Sequence, residues 1–151
     1  NLFPGDARAD RIRRQTRLLG EFLIAEDCAP PMLHKKALVH VHCNQHAVLG
    51  AEPDHLLLDR MGIDYHILDS GCCGMAGSFG FETDHYELSV AAGERVLLPA
   101  VRSAPEESLI VTNGFSCREQ IAQGSSRRAL HLAEVLQLGL RQQTQPTRRV
   151  P

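Results

Sequence analysis

Apolar positions along the chain switch between two spacings. Ala37-Leu38-Val39-His40-Val41-His42, Asp64-Tyr65-His66-Ile67-Leu68-Asp69 and Ser108-Leu109-Ile110-Val111-Thr112 are short apolar runs, and each reads as a strand. Ala129-Leu130-His131 reads as a short fourth. Between the runs, a helical spacing takes over. Residues 6–25 predict one helix, with Leu18, Leu19, Phe22 and Leu23 as its apolar stripe and Arg11, Arg13, Arg14 and Arg17 on other faces. Pro30-Pro31 ends that piece. Residues 45–61 predict a helix interrupted near Gly50 and Pro53, and residues 85–98 an amphipathic helix that stops before Pro99. A short helix over 117–122 and a last one over 132–140 complete the pattern. Strands that alternate with helices imply parallel pairing through crossovers. The expected fold is α/β: a small open, mostly parallel sheet of three to four strands flanked by helices.

Length adds one constraint. A chain of 151 residues is expected to form a single domain, here residues 1–142 with an N-terminal helix, followed by a disordered tail over 143–151. A net charge of -2 gives no basic face for nucleic acid, and Arg13-Arg14 and Arg127-Arg128 read as solvated pairs. No apolar run is long enough for a membrane span, and no signal-peptide pattern opens the chain. The chain begins at Asn1 and is expected to be a fragment of a longer protein.

The cysteines change the picture most. Their number, five, does not close a disulfide framework and suits a reducing cytoplasm, with the protein either free there or held at the membrane periphery. Cys28 stands apart, before Pro30-Pro31, and reads as a bystander. The other four follow strands. Cys43 comes after the first apolar run, Cys72 and Cys73 after the second, and Cys117 after the third, in Asn113-Gly114-Phe115-Ser116-Cys117. Strand ends of α/β proteins are where sites are built. Adjacent Cys72 and Cys73 cannot bond to each other without heavy strain. They can both serve one soft metal centre, which thiolates favour as Zn²⁺, Cu(I) or an iron–sulfur cluster. A zinc ribbon would carry Cys-x-x-Cys pairs, and none occurs. Gly71, Gly74, Gly77 and Gly80 let the backbone approach a bulky cluster, and Gly74 is expected to turn the chain away from it.

Histidines near Cys43 are the next candidates. His40 and His42 alternate on the first run and are expected to share a face, and His46 follows Cys43 by three positions. His42 and His46 are expected beside the centre, hydrogen-bonding a thiolate more readily than ligating the metal. His131 is apolar-flanked and expected to be structural. Glu82, Asp84 and Glu87 suit the start of a helix and need no acid–base role. The glycine-rich stretch lacks the Lys-Ser/Thr of a phosphate loop and the spacing of a dinucleotide fingerprint. No catalytic residue is expected in the isolated chain.

With those residues in view, the chain resembles a CCG domain, the cysteine-rich domain of iron–sulfur oxidoreductases. That family includes heterodisulfide reductase B subunits and the iron–sulfur subunits of glycolate, lactate and glycerol-3-phosphate dehydrogenases. The resemblance is carried by Gly71-Cys72-Cys73-Gly74-Met75-Ala76-Gly77-Ser78-Phe79-Gly80, Tyr86-Glu87-Leu88-Ser89, Gly114-Phe115-Ser116-Cys117-Arg118 and His131-Leu132-Ala133-Glu134-Val135-Leu136. It runs from about Leu38 to Leu138 and looks like the C-terminal part of FAD-linked D-2-hydroxyacid dehydrogenases (D-2-hydroxyglutarate, D-lactate, glycolate) fused to an Fe–S module. It implies a metal site at Cys43, Cys72, Cys73 and Cys117, with Gly71, Gly74, His42 and His46 beside the cofactor. It also implies FAD-binding and ferredoxin-like modules elsewhere in the same enzyme, and an electron-transfer role. The chain departs from the family's final Cys-x-x-Cys, because Gly114 stands at its first position. A four-thiolate [4Fe–4S] cluster, a zinc ion or an empty site therefore all stay open. A structural zinc or docking module and a thiol–disulfide relay are the rival readings.

Overall fold

In the computed structural model, which describes residues 3–144, four short strands form one parallel sheet. They are β1 (Lys36–Val39), β2 (Asp64–Ile67), β3 (Leu109–Val111) and β4 (Ala129–Leu130), in the order β2-β1-β3-β4. The α/β sheet expected from the sequence is therefore present. Chain order reverses between β1 and β3, since the path leaves β1 for one neighbour and returns to pair on its other side. The register leaves the carboxyl ends flush. Val39 is level with Ile67 and with Val111, and Val111 is level with Leu130.

Eight α-helices flank the sheet among the described residues: α1 (Ala7–Gln15), α2 (Leu19–Ala25), α3 (Cys43–Val48), α4 (Glu52–Arg60), α5 (Tyr86–Glu94), α6 (Leu97–Ser103), α7 (Phe115–Gly124) and α8 (Leu132–Thr144). Strand side chains alternate between two faces, and each face has its own core. On one, Val39 and Val111 pack with Leu57 and Leu58 of α4 and Leu132 and Val135 of α8. On the other, Ile110 packs with Leu97 and Val101 of α6 and Ile121 of α7, and Cys73 and Cys117 belong to this second core.

Several boundaries differ from the sequence reading for local reasons. The helix expected over 6–25 is two helices. Thr16 turns to extended backbone (φ -79, ψ 120) while its Oγ1 donates to the Ile12 carbonyl at 2.9 Å. The chain restarts where the Leu18 amide donates to Glu21 Oε2 at 2.7 Å. Pro99 does not stop a helix. It is the third residue of α6, a position whose amide would have no helical partner in any case. The first strand ends at Val39, so His40 and His42 do not share a strand face. The last helix runs through Thr144, past the boundary expected at 142, and residues 145–151 of the expected tail lie outside the described residues.

Candidate functional site

Flush strand ends deliver three loops to one edge of the sheet. After β1, His42 caps α3, its Nδ1 3.4 Å from the Gln45 amide, and Cys43 is the first helical residue. After β2 comes the Cys-Cys loop. After β3, Gly114 is the N-cap of α7, and Cys117 lies in that helix's first turn.

The Cys-Cys loop is built from left-handed residues: Gly71 (φ 63), Gly74 (φ 100), Ala76 (φ 41) and Gly77 (φ 69). Such alternation turns successive amides toward a common centre and makes a concavity that favours an anion. Here the amides of Met75 and Ala76 are directed at the Cys73 thiol. Cys117, completely buried, donates to the same sulfur. Together these donors outweigh burial and bring the Cys73 thiol down to about 6, while Cys117 is pushed up by its role as donor and by desolvation. Within the pair, Cys117 is the donor and Cys73 the acceptor and the more acidic thiol.

Cys43 and Cys72 form a second pair. Cys72 is exposed, and its thiol is raised by desolvation and by Cys43 beside it, partly opposed by the Gly74 amide at 3.4 Å. A pocket of about 300 Å³ opens over this pair, with His46 and Gly71 in its lining. The four candidate thiols thus meet as two contacting pairs, one open and one closed. Among the described residues, no set of three or more His, Cys, Asp or Glu side chains converges as ligands of one ion. Cys28 follows α2, in another part of the molecule.

The other expected site residues fall into distinct places. A Cβ added at Gly71 would meet nothing within 4 Å. One added at Gly74 would lie 2.0 Å from the Ser89 carbonyl oxygen on α5. That glycine is therefore required by the packing of α5 against the loop, a contact that the sequence reading did not include. His42 lays its ring against Gly114: a Cβ at position 114 would stand 2.4 Å from His42 Cδ2 and 2.8 Å from Cys117 Sγ. The imidazole occupies the room that a side chain at 114 would need. His40 is 2% exposed, with Nδ1 2.7 Å from Ser70 Oγ and a buried Nε2 that has no partner. Burial pushes this imidazole down to about 4, so it is neutral at ordinary pH and ties the end of β1 to the base of the Cys72 loop.

Three supporting residues escaped the sequence reading. Gln120, 4% exposed, donates from Nε2 to the Ser89 carbonyl at 3.0 Å and so fastens α7 to α5 over the Cys-Cys loop. A Cβ at Gly93 would lie 3.0 Å from the Cys73 carbonyl oxygen. Ser89 and Gly93 are four positions apart on α5, and this small-residue face was a legible sign of close approach.

No protein-family model matches the chain, and no solved structure matches it. It is 36% identical over 76 residues to a subunit of the anaerobic glycerol-3-phosphate dehydrogenase of Escherichia coli (strain K12), covering 50% of this chain and 19% of that protein. It is 32% identical over 82 residues to D-2-hydroxyglutarate dehydrogenase of Pantoea ananatis, covering 53% of this chain and 8% of that protein. The D-2-hydroxyglutarate dehydrogenase of E. coli K12 is 29% identical over 97 residues, covering 63% and 9% respectively. The chain spans less than a fifth of the length of these relatives. All three are dehydrogenase proteins, and the likeness supports a domain of a dehydrogenase. No helix among the described residues is long and apolar enough to cross a membrane.

Proposed function

We propose that this chain is the electron-transfer domain of a flavin-dependent 2-hydroxyacid dehydrogenase, of the CCG type, and that Cys43, Cys72, Cys73 and Cys117 hold an iron–sulfur cluster. The observation that carries the reading is that three loops bring four cysteines, as two contacting pairs, to one flush sheet edge. The donor set fits in kind, because soft thiolates favour such a centre and ligands must shed their protons to bind it. Cys73 is prepared for that loss by the Met75 and Ala76 amides. Bound there, the cluster would supply one-electron chemistry.

The chain's own residues set the surroundings. Cys73 and Cys117 lie in the second core, where water is excluded. Cys72 faces solvent, on the side where another module could approach. His46 borders the mouth of that side. FAD and ferredoxin-like modules would belong to the rest of the parent protein, which works in the cytoplasm on this reading, and the isolated domain would oxidise no substrate.

Anaerobic purification followed by assay of iron, sulfide and zinc tests the reading. Iron and sulfide in comparable amounts, with brown visible absorbance lost in Cys117→Ser, are expected. Stoichiometric zinc without sulfide would instead establish the structural zinc module. Metal-free protein from iron-replete cells would overturn both.

A further inference from the structure

Outside the thiol pairs, a second concavity opens on the same sheet edge, between the ends of β1 and β3 where chain order reverses. Crevices at such reversals are where open α/β sheets bind small molecules. This one has a volume of about 310 Å³ and is lined by His42, Gly114, His131, Leu18, Leu19 and Leu49 among others. Its size is at the lower end for a small-molecule site.

Both imidazoles present Nδ1 to a backbone amide at the start of a helix. His42 Nδ1 accepts from the Gln45 amide at 3.4 Å, and His131 Nδ1 accepts from the Ala133 amide at 3.0 Å. A neutral imidazole that accepts at Nδ1 carries its proton at Nε2. Neither Nε2 has a hydrogen-bond partner among the described residues, so each has a proton to give. Gly114 adds a third donor region. It is the N-cap of the ten-residue α7, and no side chain caps that helix. The nearby carboxylates are already engaged: Asp54 Oδ2 accepts from Gln45 at 2.7 Å and Asn113 at 2.8 Å, and Glu134 is paired with Arg118 and Arg128. Three leucines, Leu18, Leu19 and Leu49, supply apolar surface to the same lining.

We infer that this crevice binds a small carboxylic acid, its carboxylate taken by the Nε2–H groups of His42 and His131 and its carbon chain laid on Leu18, Leu19 and Leu49. The site is separated from the thiols by the His42–Gly114 contact, and the inference does not rest on a metal at the cysteines.

Calorimetric titration of the full chain, purified anaerobically, with hexanoate tests it, with hexan-1-ol as the probe that keeps the carbon chain and lacks the carboxylate. Saturable binding of hexanoate alone is expected. His131→Leu should weaken it by about tenfold or more, while His131→Gln, which keeps a donor, should retain it. Leu49 is half exposed, so Leu49→Glu leaves the fold intact and should abolish binding by repulsion; it decides the matter if His131→Leu fails to fold. Absence of saturable hexanoate binding, equal binding of the alcohol, or binding unchanged in Leu49→Glu would each overturn the inference.

Discussion

Cys43 and Cys72 meet beneath an open pocket, whereas Cys73 and Cys117 meet inside the packed core between α6, α7 and the sheet. Both pairs sit on the same edge, and neighbouring residues of one loop serve them. The difference comes from what covers each. Over the closed pair, α5 lies so near that Gly74 and Gly80 have no room for a side chain and a Cβ at Gly93 would press on the Cys73 carbonyl. Over the open pair, Gly71 faces empty space. A thiolate sealed among amides is held ready, while a thiol at the surface is held accessible, and one loop provides both conditions.

The strongest way to break this contrast is at the glycines. Gly74→Ala combines a left-handed backbone with a Cβ driven into the Ser89 carbonyl, and should cost about 3–4 kcal/mol. Gly71→Ala meets only the backbone strain and should cost about 1 kcal/mol. Urea unfolding of metal-stripped protein gives both values, and equal losses would show that α5 does not seal the closed pair.

Next in size is an effect of pH. His40 is neutral in the folded protein, its imidazole lowered from 6.5 to about 4 by burial, so the unfolded chain binds the extra proton first on acidification. The stability that His40 permits is therefore complete above about pH 6.5 and is lost as pH falls toward 4, by about 3 kcal/mol in all. Unfolding free energies measured at steps across that window should fall accordingly, and His40→Gln should flatten the slope. An unchanged slope would separate His40 from the loop it anchors through Ser70.

The smallest effect is one of access. Timed alkylation of metal-free protein, read by mass spectrometry, should modify Cys72 about tenfold or more faster than Cys73, even though Cys73 is the better thiolate, because Cys73 is 2% exposed. Faster loss of Cys73 would mean that the closed pair opens readily.

Much of this arrangement was legible before the structure. Each apolar run ends shortly before a cysteine, so parallel pairing alone brings Cys43, Cys72, Cys73 and Cys117 to one edge. The pairing of the thiols was not legible. Adjacent cysteines suggested that both serve one centre, but not which thiol each would touch: Cys72 meets Cys43, and Cys73 meets Cys117. The role of Gly74 was hidden for a related reason. A glycine in a loop speaks of local backbone freedom, whereas the requirement here comes from Ser89, a contact whose position depends on how α5 crosses the loop. Thr16 and Pro99 misled at the level of single hydrogen bonds, where a side chain or a missing amide decides a boundary that periodicity leaves undetermined.

The strand order also sets a sequence of events during synthesis. Cys43 and Cys72 are 29 positions apart, and β1 and β2, which bring them together, leave the ribosome as neighbours. Cys73 and Cys117 are 44 positions apart, and their meeting waits for β3 to dock on the free side of β1. A growing chain therefore leaves Cys73 without its partner thiol until β3 and the first turn of α7 are made, and the interval between the second strand and the third is when outside reagents have their widest access to that sulfur.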